Sequence, residues 1–318
     1  LPVADLGIKD ADIADQYKYT QDIVTDSEGV LKGLSWQGCP GVLFYNREAA
    51  KAVLGSDDPA TVQTENLVAY FPLESEAKAV ELGEGISFSK KAGAAAFVEG
   101  VRGKCYANSA ADCKNFSYLD FALAANNPFK SMTSFTMSCW VKMPVPNDGS
   151  PAMISLNGGD GGMGNLLIMN EGWGCNTDSL YVKAYLYNSR TEWKGQDIGL
   201  ANAGFTTDKW FHLVYSYNES DSKMTLYSNG QFIADSGRWA GPADADGNQE
   251  QLGQLVLDPA MKNLYIGAWW NNLDGTHADA WRSSFPGMVD ELRVWKVALT
   301  PEEVTDLYTK EVTKADRL

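Results

Sequence analysis

Apolar and polar residues alternate along much of the chain between residues 65 and 308. In the segment SFTMSCWVKM (134–143), every second position from the phenylalanine onward carries an apolar side chain. A period of two matches a β-strand, whose successive side chains point to opposite faces of the sheet. The segments ENLVAYFPLE (65–74) and LYVKAYLY (180–187) have the same strand-like pattern. The alternation therefore predicts a chain that is rich in β-strands from residue 65 onward.

Two local signals predict a hairpin and a terminal helix. Asn229-Gly230 separates the strand-like runs KMTLYS and QFIADS, and this dipeptide tolerates the positive φ angles of a two-residue type I′ turn. Near the C-terminus, Thr300 and Glu303 have the spacing of a capping box, with Pro301 at the first helical position. A helix is therefore predicted to begin there.

Many short strands, frequent turn signals and one short C-terminal helix predict an all-β fold, a two-sheet antiparallel sandwich. Residues 1–62 differ, because they are acidic, weakly patterned and closed by a linker-like segment, GSDDPAT (55–61). We divide the chain into a small N-terminal extension or remnant of a preceding domain (1–62) and a jelly-roll domain (63–318). The pattern assigns no role to the extension.

The composition argues against some classes of binding partner. The 318-residue chain has a formal net charge of −15, which argues against a nucleic-acid partner, because phosphate binding needs a basic surface. No apolar run approaches the roughly 18–20 residues of a membrane span. The chain begins at Leu1 rather than Met, so we interpret it as a trimmed or mature form that lacks any export signal.

The cysteines do not form a metal-binding or disulfide-scaffold pattern. The five are irregularly spaced and include no CxxC pair, although Cys105 and Cys113 could close a short loop. Cys139 lies in an alternating strand, where a small core residue is expected. His212 also lies in a strand, where we expect a structural role.

The chain has none of the common catalytic motifs. GxSxG, HExxH and the phosphate-binding loop are absent, and no strand carries carboxylates at alternate positions, as glycosidases of β-sandwich type do. Asp290 and Glu291 are adjacent, and strict alternation would point them to opposite faces. We therefore predict that the protein is not an enzyme, with a glycosidase using non-standard carboxylates as the alternative.

Four stretches, in order, resemble a known family. They are NLVAYFPLE, SFTMSCWVKM, KWFHLVYSYNESDSKMTLYSNGQFIA, and LYIGAWW followed by FPGMVDELRVWKVALTPEEVTDLY. Together they resemble the laminin-G-like jelly-roll domain of the concanavalin A-like lectin/glucanase superfamily, over residues 65–308. The resemblance implies a two-sheet antiparallel sandwich in which Trp140 and Trp210 are core residues. It does not imply one function, because the fold hosts lectins, adhesion modules and glycosidases.

The last predicted strand, MVDELRVW, contains a candidate metal ligand. In strict alternation Asp290 shares a face with Met288, Leu292 and Val294, and a carboxylate on an apolar face needs a partner. Related jelly rolls use a last-strand Asp and a first-strand acid to hold a structural Ca²⁺. The resemblance therefore implies calcium at Asp290, with Glu74 as partner. An ion pair with an arginine and bonds to loop backbone amides are the alternatives.

Ten tryptophans exceed what one sandwich core needs. Several lie in loops rich in Gly, Asn and Asp, beside polar side chains that could bind sugar hydroxyls. Flat aromatic faces with adjacent polar groups are typical of sugar binding, although large aromatics also anchor long loops. The candidate glycan ligands are Trp173, Trp193, Trp239, Trp269, Trp270, Trp281, Tyr185, Asn271 and Arg282.

These observations predict a non-catalytic carbohydrate-binding or adhesion module that takes part in complex-glycan capture. Many relatives in the family are bacterial surface lipoproteins, so the resemblance implies export to the cell surface or periplasm. Poly- or oligosaccharides, or a surface protein, are the predicted partners. The alternative function is a structural or protein–protein interaction module without a sugar site.

Overall fold

The structure is a computed structural model, and it describes residues 62–158, 166–172, 180–189, 194–201, 207–235 and 251–314. The chain divides into two compact units, Leu1–Ser56 and Asp57–Leu318, and every described residue belongs to the second. Three candidate sugar-binding residues, Trp173, Trp193 and Trp239, lie outside the described residues.

The described part of the chain forms fifteen strands and one α-helix. In chain order the strands are β1 (Leu67–Phe71), β2 (Ile86–Ala92), β3 (Ala95–Glu99), β4 (Lys104–Asn108), β5 (Tyr118–Leu123), β6 (Phe135–Lys142), β7 (Ala152–Leu156), β8 (Leu166–Asn170), β9 (Tyr181–Ser189), β10 (Lys194–Ala201), β11 (Phe211–Asn218), β12 (Lys223–Ser228), β13 (Gln231–Asp235), β14 (Asn263–Ile266) and β15 (Met288–Trp295). The helix, α1, spans Pro301–Lys314.

The strands form two antiparallel sheets. The eight-stranded sheet has the order β13-β12-β11-β6-β15-β4-β3, and β1 pairs with β15 beside this path. The seven-stranded sheet has the order β10-β9-β8-β7-β14-β5-β2. The predicted two-sheet sandwich with a short C-terminal helix is confirmed.

The main core lies between the two sheets. The alternate residues of β6 from Phe135 to Val141 are buried in this core, as the period-two pattern predicted. Phe71 of the eight-stranded sheet meets Phe121 of the seven-stranded sheet edge to face, with ring centroids 5.0 Å apart. Such a contact contributes about 0.5–1.5 kcal/mol beyond the area that it buries.

The predicted turn and cap are both present. Asn229 and Gly230 have φ angles of 50° and 75°, the pair of positive values that a type I′ turn requires. At the start of α1, the Thr300 amide donates to the Glu303 carboxylate at 2.8 Å, and the Glu303 amide donates to the Thr300 hydroxyl at 3.2 Å. Local chemistry thus determines both features.

Helix α1 covers the outer face of the eight-stranded sheet and creates a second, smaller core. This core contains Trp295, Val304 and Leu307, all fully buried. Trp140 faces the helix rather than the main core, with its ring centroid 6.0 Å from that of Tyr308. His212 lies beside this pair inside β11, so its predicted structural position is confirmed. Trp210, the other predicted core tryptophan, is only partly buried.

Strand β15 departs from the predicted alternation. A β-bulge between Asp290 and Arg293 shifts its register against β6, and Glu291 adopts a left-handed φ of 52°. The extra residue brings Val289, Leu292 and Val294 all into the main core. The prediction that Asp290 shares a face with Leu292 and Val294 is therefore wrong, because a bulge reverses the pattern of faces downstream of it.

The three described cysteines, Cys105, Cys113 and Cys139, are buried free thiols. A Cys105–Cys113 disulfide is thus absent, and Cys139 occupies the core position expected for it. Burial raises the pKa of each thiol, which disfavours the reactive thiolate.

Candidate functional site

The loop of residues 267–284, between β14 and β15, carries the described tryptophans that are candidate sugar ligands. It is held to the sandwich at several points. The Ser150 amide donates to the Trp281 carbonyl at 2.6 Å, and the Trp269 indole donates to the Ser150 carbonyl at 2.8 Å. Within the loop, the Asn272 side chain donates to the Arg282 carbonyl at 2.7 Å. These bonds fix the ring of Trp269 and the backbone at Trp281 and Arg282.

Trp281 presents an exposed ring above a buried one. Its side chain is 42% exposed, whereas Trp269 is fully buried, and the two rings meet edge to face with centroids 5.3 Å apart. The Arg282 guanidinium lies 5.1 Å from the Trp269 ring centroid and 5.2 Å from that of Trp281. Both Nε and Nη2 of Arg282 donate to Oδ2 of Asp279, at 3.1 and 2.8 Å. We call these four residues the Trp281 site.

The Trp281 site continues onto the outer face of the seven-stranded sheet. Trp269 packs there with Tyr185, Tyr187 and Met169, in a cluster separate from the main core. The alternate residues of the same strands, such as Leu186, point inward to the main core. The structure thus brings together four of the predicted sugar ligands: Tyr185, Trp269, Trp281 and Arg282.

A chain of polar contacts runs along the same face. Ser150, whose backbone holds both tryptophans, donates from its hydroxyl to Glu171 at 3.1 Å. Glu171 forms an ion pair with Lys183 at 3.1 Å, and the Lys183 ammonium lies 4.9 Å from the Tyr185 ring centroid. Because Tyr185 and Tyr187 are themselves buried, these residues support the Trp281 site from behind, and Trp281 is its exposed ring.

Trp270 belongs to a different group of residues. It is half-buried and packs against a cluster that contains Tyr118, Tyr265 and Ala268. The adjacent Asn271 is also half-buried. Tyr118 and Tyr265 themselves meet edge to face, with ring centroids 5.8 Å apart. Trp270 thus anchors the loop at a cluster that does not include Trp269 or Tyr185.

The candidate calcium ligands Asp290 and Glu74 both accept hydrogen bonds from backbone amides. Oδ2 of Asp290 accepts hydrogen bonds from the backbone amides of Val101 and Arg102, at 2.8 and 3.1 Å. Oδ1 accepts a hydrogen bond from the amide of Glu291 at 2.8 Å. Glu74 accepts the Lys104 amide at 2.9 Å. Burial and the Glu291 carboxylate raise the pKa of Asp290, and the amides oppose this shift.

These contacts match the alternative in which loop backbone amides hold the carboxylate. Within the described ranges, no group of three or more His, Cys, Asp or Glu side chains is arranged to hold a metal ion. The amides already occupy both lone-pair sites of Oδ2, so the donor set does not fit calcium in this arrangement. The calcium site stays a prediction that a chelation experiment can decide.

The sequence analysis did not identify a buried ion network around β15. Glu291 accepts the Tyr70 hydroxyl at 2.9 Å and pairs with Arg102 at 2.7 Å and Arg293 at 2.6 Å. Arg293 also pairs with Glu311 of α1 and lies over the Tyr70 ring, 4.1 Å from its centroid. The sequence signal for such a network is three charged residues, Asp290, Glu291 and Arg293, inside one strand with apolar neighbours, because buried charges need partners.

The contacts of Asp290 and Glu291 show whether these adjacent acids could act as the two carboxylates of a glycosidase. Asp290 is bound to backbone amides, whereas Glu291 is bound to Tyr70, Arg102 and Arg293, and both carboxylates are buried. A glycosidase needs an acid and a second carboxylate that flank one accessible sugar bond. Asp290 and Glu291 do not meet this requirement.

Asp279, Ser150 and Glu171 were also not identified from the sequence. The signal for Asp279 is the spacing in DAWR (279–282), where an acid and an arginine bracket a tryptophan. Ser150 and Glu171 have no comparable local signal, because their roles arise from contacts between distant segments.

The comparisons with known proteins agree with this architecture. A family model described as the concanavalin A-like lectin/glucanases superfamily, of laminin G type, matches residues 116–305. No curated protein sequence matches the chain.

Three solved structures illustrate the similarity of fold. The receptor-binding domain of botulinum neurotoxin mosaic serotype C/D has a TM-score of 0.52 and 13% identity, over 77% of this chain and 50% of that one. The binding domain of Paraclostridial Mosquitocidal Protein 1 has a TM-score of 0.50 and 17% identity, over 77% and 52%. The ligand-binding domain of botulinum neurotoxin serotype D, in complex with N-acetylneuraminic acid, has a TM-score of 0.50 and 12% identity, over 79% and 52%.

The chain thus spans about half the length of these structures, and at such identities the likeness shows the fold alone. The family model, in contrast, covers more than half of this chain. Together with the two antiparallel sheets, this match shows that the chain belongs to the concanavalin A-like lectin/glucanase superfamily.

Proposed function

We propose that this protein is a non-catalytic carbohydrate-binding module that holds a sugar ring against Trp281. The observation that carries the proposal is the fixed, exposed ring of Trp281, supported from below by Trp269 and flanked by Arg282 and Asp279. A rigid aromatic face loses little conformational entropy when a ligand stacks on it, and adjacent polar groups supply orientation.

The surrounding contacts support a binding surface. Tyr185 and Lys183 are largely buried and pack behind the site on the seven-stranded sheet, where they support it. Among the described residues, no helix has the length and apolar character to cross a bilayer. We place the module in an exported protein of the bacterial cell surface or periplasm that captures complex glycans, as the family resemblance implies. The neurotoxin relatives are receptor- or ligand-binding domains by their descriptions, which is in keeping with binding rather than catalysis.

The test is retardation in native gels that contain a panel of polysaccharides, followed by calorimetry with the best oligosaccharide. We expect Trp281→Ala to weaken binding about tenfold, since an aromatic contact of this kind contributes about 1.4 kcal/mol. Phe232→Ala is the matched control, because Phe232 is an aromatic residue that is 56% exposed on β13, in the other sheet. This control should bind like the unmodified protein.

Three results would contradict the proposal. Retardation by none of the polysaccharides would favour the alternative of a protein–protein interaction module. Equal binding by the Trp281→Ala variant would show that the sugar lies elsewhere. Release of reducing sugar from a retarded polysaccharide would show that the module is a glycosidase.

A further inference from the structure

We infer that the Trp281 site selects uncharged sugar rings and discriminates against acidic ones, such as sialic and uronic acids. This inference rests on the proposed carbohydrate-binding function and adds the charge of the ligand to it. It follows from which charged groups of the site are exposed and which are already paired.

The positive charge of the site is not available to a ligand. Arg282 is only 4% exposed, and its Nε and Nη2 atoms both donate to Asp279. Its guanidinium also lies between the rings of Trp269 and Trp281. Lys183, farther along the same face, is ion-paired with Glu171 at 3.1 Å. An acidic sugar on Trp281 would therefore meet ion pairs with no net positive charge, and in the pair of Arg282 with Asp279 the carboxylate is the exposed member.

The charge exposed beside Trp281 is negative. The Asp279 side chain is 43% exposed, and the hydrogen bonds made to it by the described residues all reach Oδ2. Oδ1 can thus accept a hydrogen bond from a sugar hydroxyl, which is a donor that every neutral hexose offers. Asp274, in the same loop, is a second exposed carboxylate. The net charge of −15 has the same sign.

The expected discrimination is modest but measurable. Two like charges about 6 Å apart near a protein surface repel each other, and because the buried Arg282 offsets part of the charge of Asp279, we expect an acidic sugar to bind only about fivefold more weakly. The repulsion acts between exposed groups, so salt should screen it. A neutral sugar, in contrast, should bind almost independently of ionic strength.

The experiment compares glycans that differ only in charge. Fully methyl-esterified and de-esterified oligogalacturonides form one pair, and a neutral galactose-terminated oligosaccharide with its sialylated form is the second. Dissociation constants are measured by calorimetry at about 20 mM and about 500 mM NaCl. At low salt, the neutral member should bind about fivefold more tightly, and at high salt the ratio should approach one.

Two variants separate the roles of the carboxylates. Asp279→Asn should reduce the discrimination and weaken binding of the neutral glycan, whereas Asp274→Asn, which removes the same charge elsewhere in the loop, should leave neutral binding unchanged. If Asp279→Asn fails to fold because Arg282 loses its partner, the salt dependence of the unmodified protein decides the question.

The outcomes separate this inference from the proposed function. Equal or tighter binding of the acidic glycans at low salt, abolished by Trp281→Ala, would overturn the charge selectivity but leave the binding site in place. Binding of neither member of either pair, nor of the wider polysaccharide panel, would overturn both.

Discussion

Replacing Glu311 with Gln should destabilise the protein more than its position near the end of a helix suggests. Glu311 is 2% exposed and pairs with Arg293, which is fully buried in β15. The substitution preserves shape but removes the charge that compensates Arg293. Arg293 then keeps only Glu291 as a carboxylate partner among the described residues, at 2.6 Å.

The magnitude follows from the burial of both groups. Removing one member of a buried ion pair costs about 3–5 kcal/mol, because the remaining charge stays out of water. Since Glu291 still compensates Arg293 in part, and burying the ionised Glu311 carboxylate is itself costly, the loss should be at most about 3 kcal/mol. For a domain of about 250 residues this corresponds to a decrease of about 6–12 °C in melting temperature.

The assay is urea unfolding followed by tryptophan fluorescence. Burial raises the pKa of Glu311 to about 7, an effect that Arg293 opposes, so the cost of burying the ionised carboxylate offsets part of what the bridge contributes, and the stability that this group confers falls as the pH rises through about 7. Both variants are therefore compared at one pH, about 8. The matched control is Asp306→Asn in the same helix, which removes the exposed ion pair between Asp306 and Lys310 at 2.7 Å. That pair should contribute less than about 0.5 kcal/mol. Equal losses in the two variants would refute this account of the buried bridge.

Three other substitutions test separate parts of the structure. Burial, and then the charge of Arg293, lower the pKa of His212 to about 3, so below about pH 6.5 this residue binds a proton in the unfolded chain and not in the folded protein. Between pH 7 and pH 5 the unmodified protein should therefore lose about 2 kcal/mol relative to His212→Leu in urea titrations, and parallel pH profiles of the two proteins would contradict this account. Thr300→Ala removes the helix cap and should cost about 1 kcal/mol by the same measurement, and an unchanged stability would contradict this role of the cap. In Asp290→Asn the side-chain NH₂ group faces a backbone amide, which is also a donor, and the lost hydrogen bond should lower the free energy of unfolding by about 1–3 kcal/mol. If EDTA lowers the melting temperature of the unmodified protein but not of this variant, the result would instead support bound calcium.

Local chemistry made part of the fold predictable. Asn229-Gly230 specifies its turn through two backbone angles, and Thr300 with Glu303 specifies the start of α1 through neighbouring hydrogen bonds. Interactions across the chain could not be predicted in this way. Tyr70 and Glu291, which share a hydrogen bond, are 221 positions apart, and nothing local to either residue indicates the other.

The same distinction applies to the candidate site. The loop composition indicated tryptophans beside polar side chains, and four of the predicted ligands do lie together. Which rings are exposed depends on distant residues, since Trp269 is buried partly because its indole reaches Ser150, 119 positions away. Trp281 has a similar local sequence setting and yet remains exposed.

The pairing of the first strand with the last has a consequence for how the domain is used. Leu67 of β1 lies opposite Trp295 of β15, and the Lys296 amide donates to the Asn66 carbonyl at 2.9 Å. The first and last strands of the sandwich are therefore neighbours in space. A sandwich whose first and last strands are paired can be inserted within a longer polypeptide as a side branch, with little disturbance of the segments on either side. The same arrangement favours circular permutation, in which new ends are opened in a surface turn and the old ones are joined by a short linker.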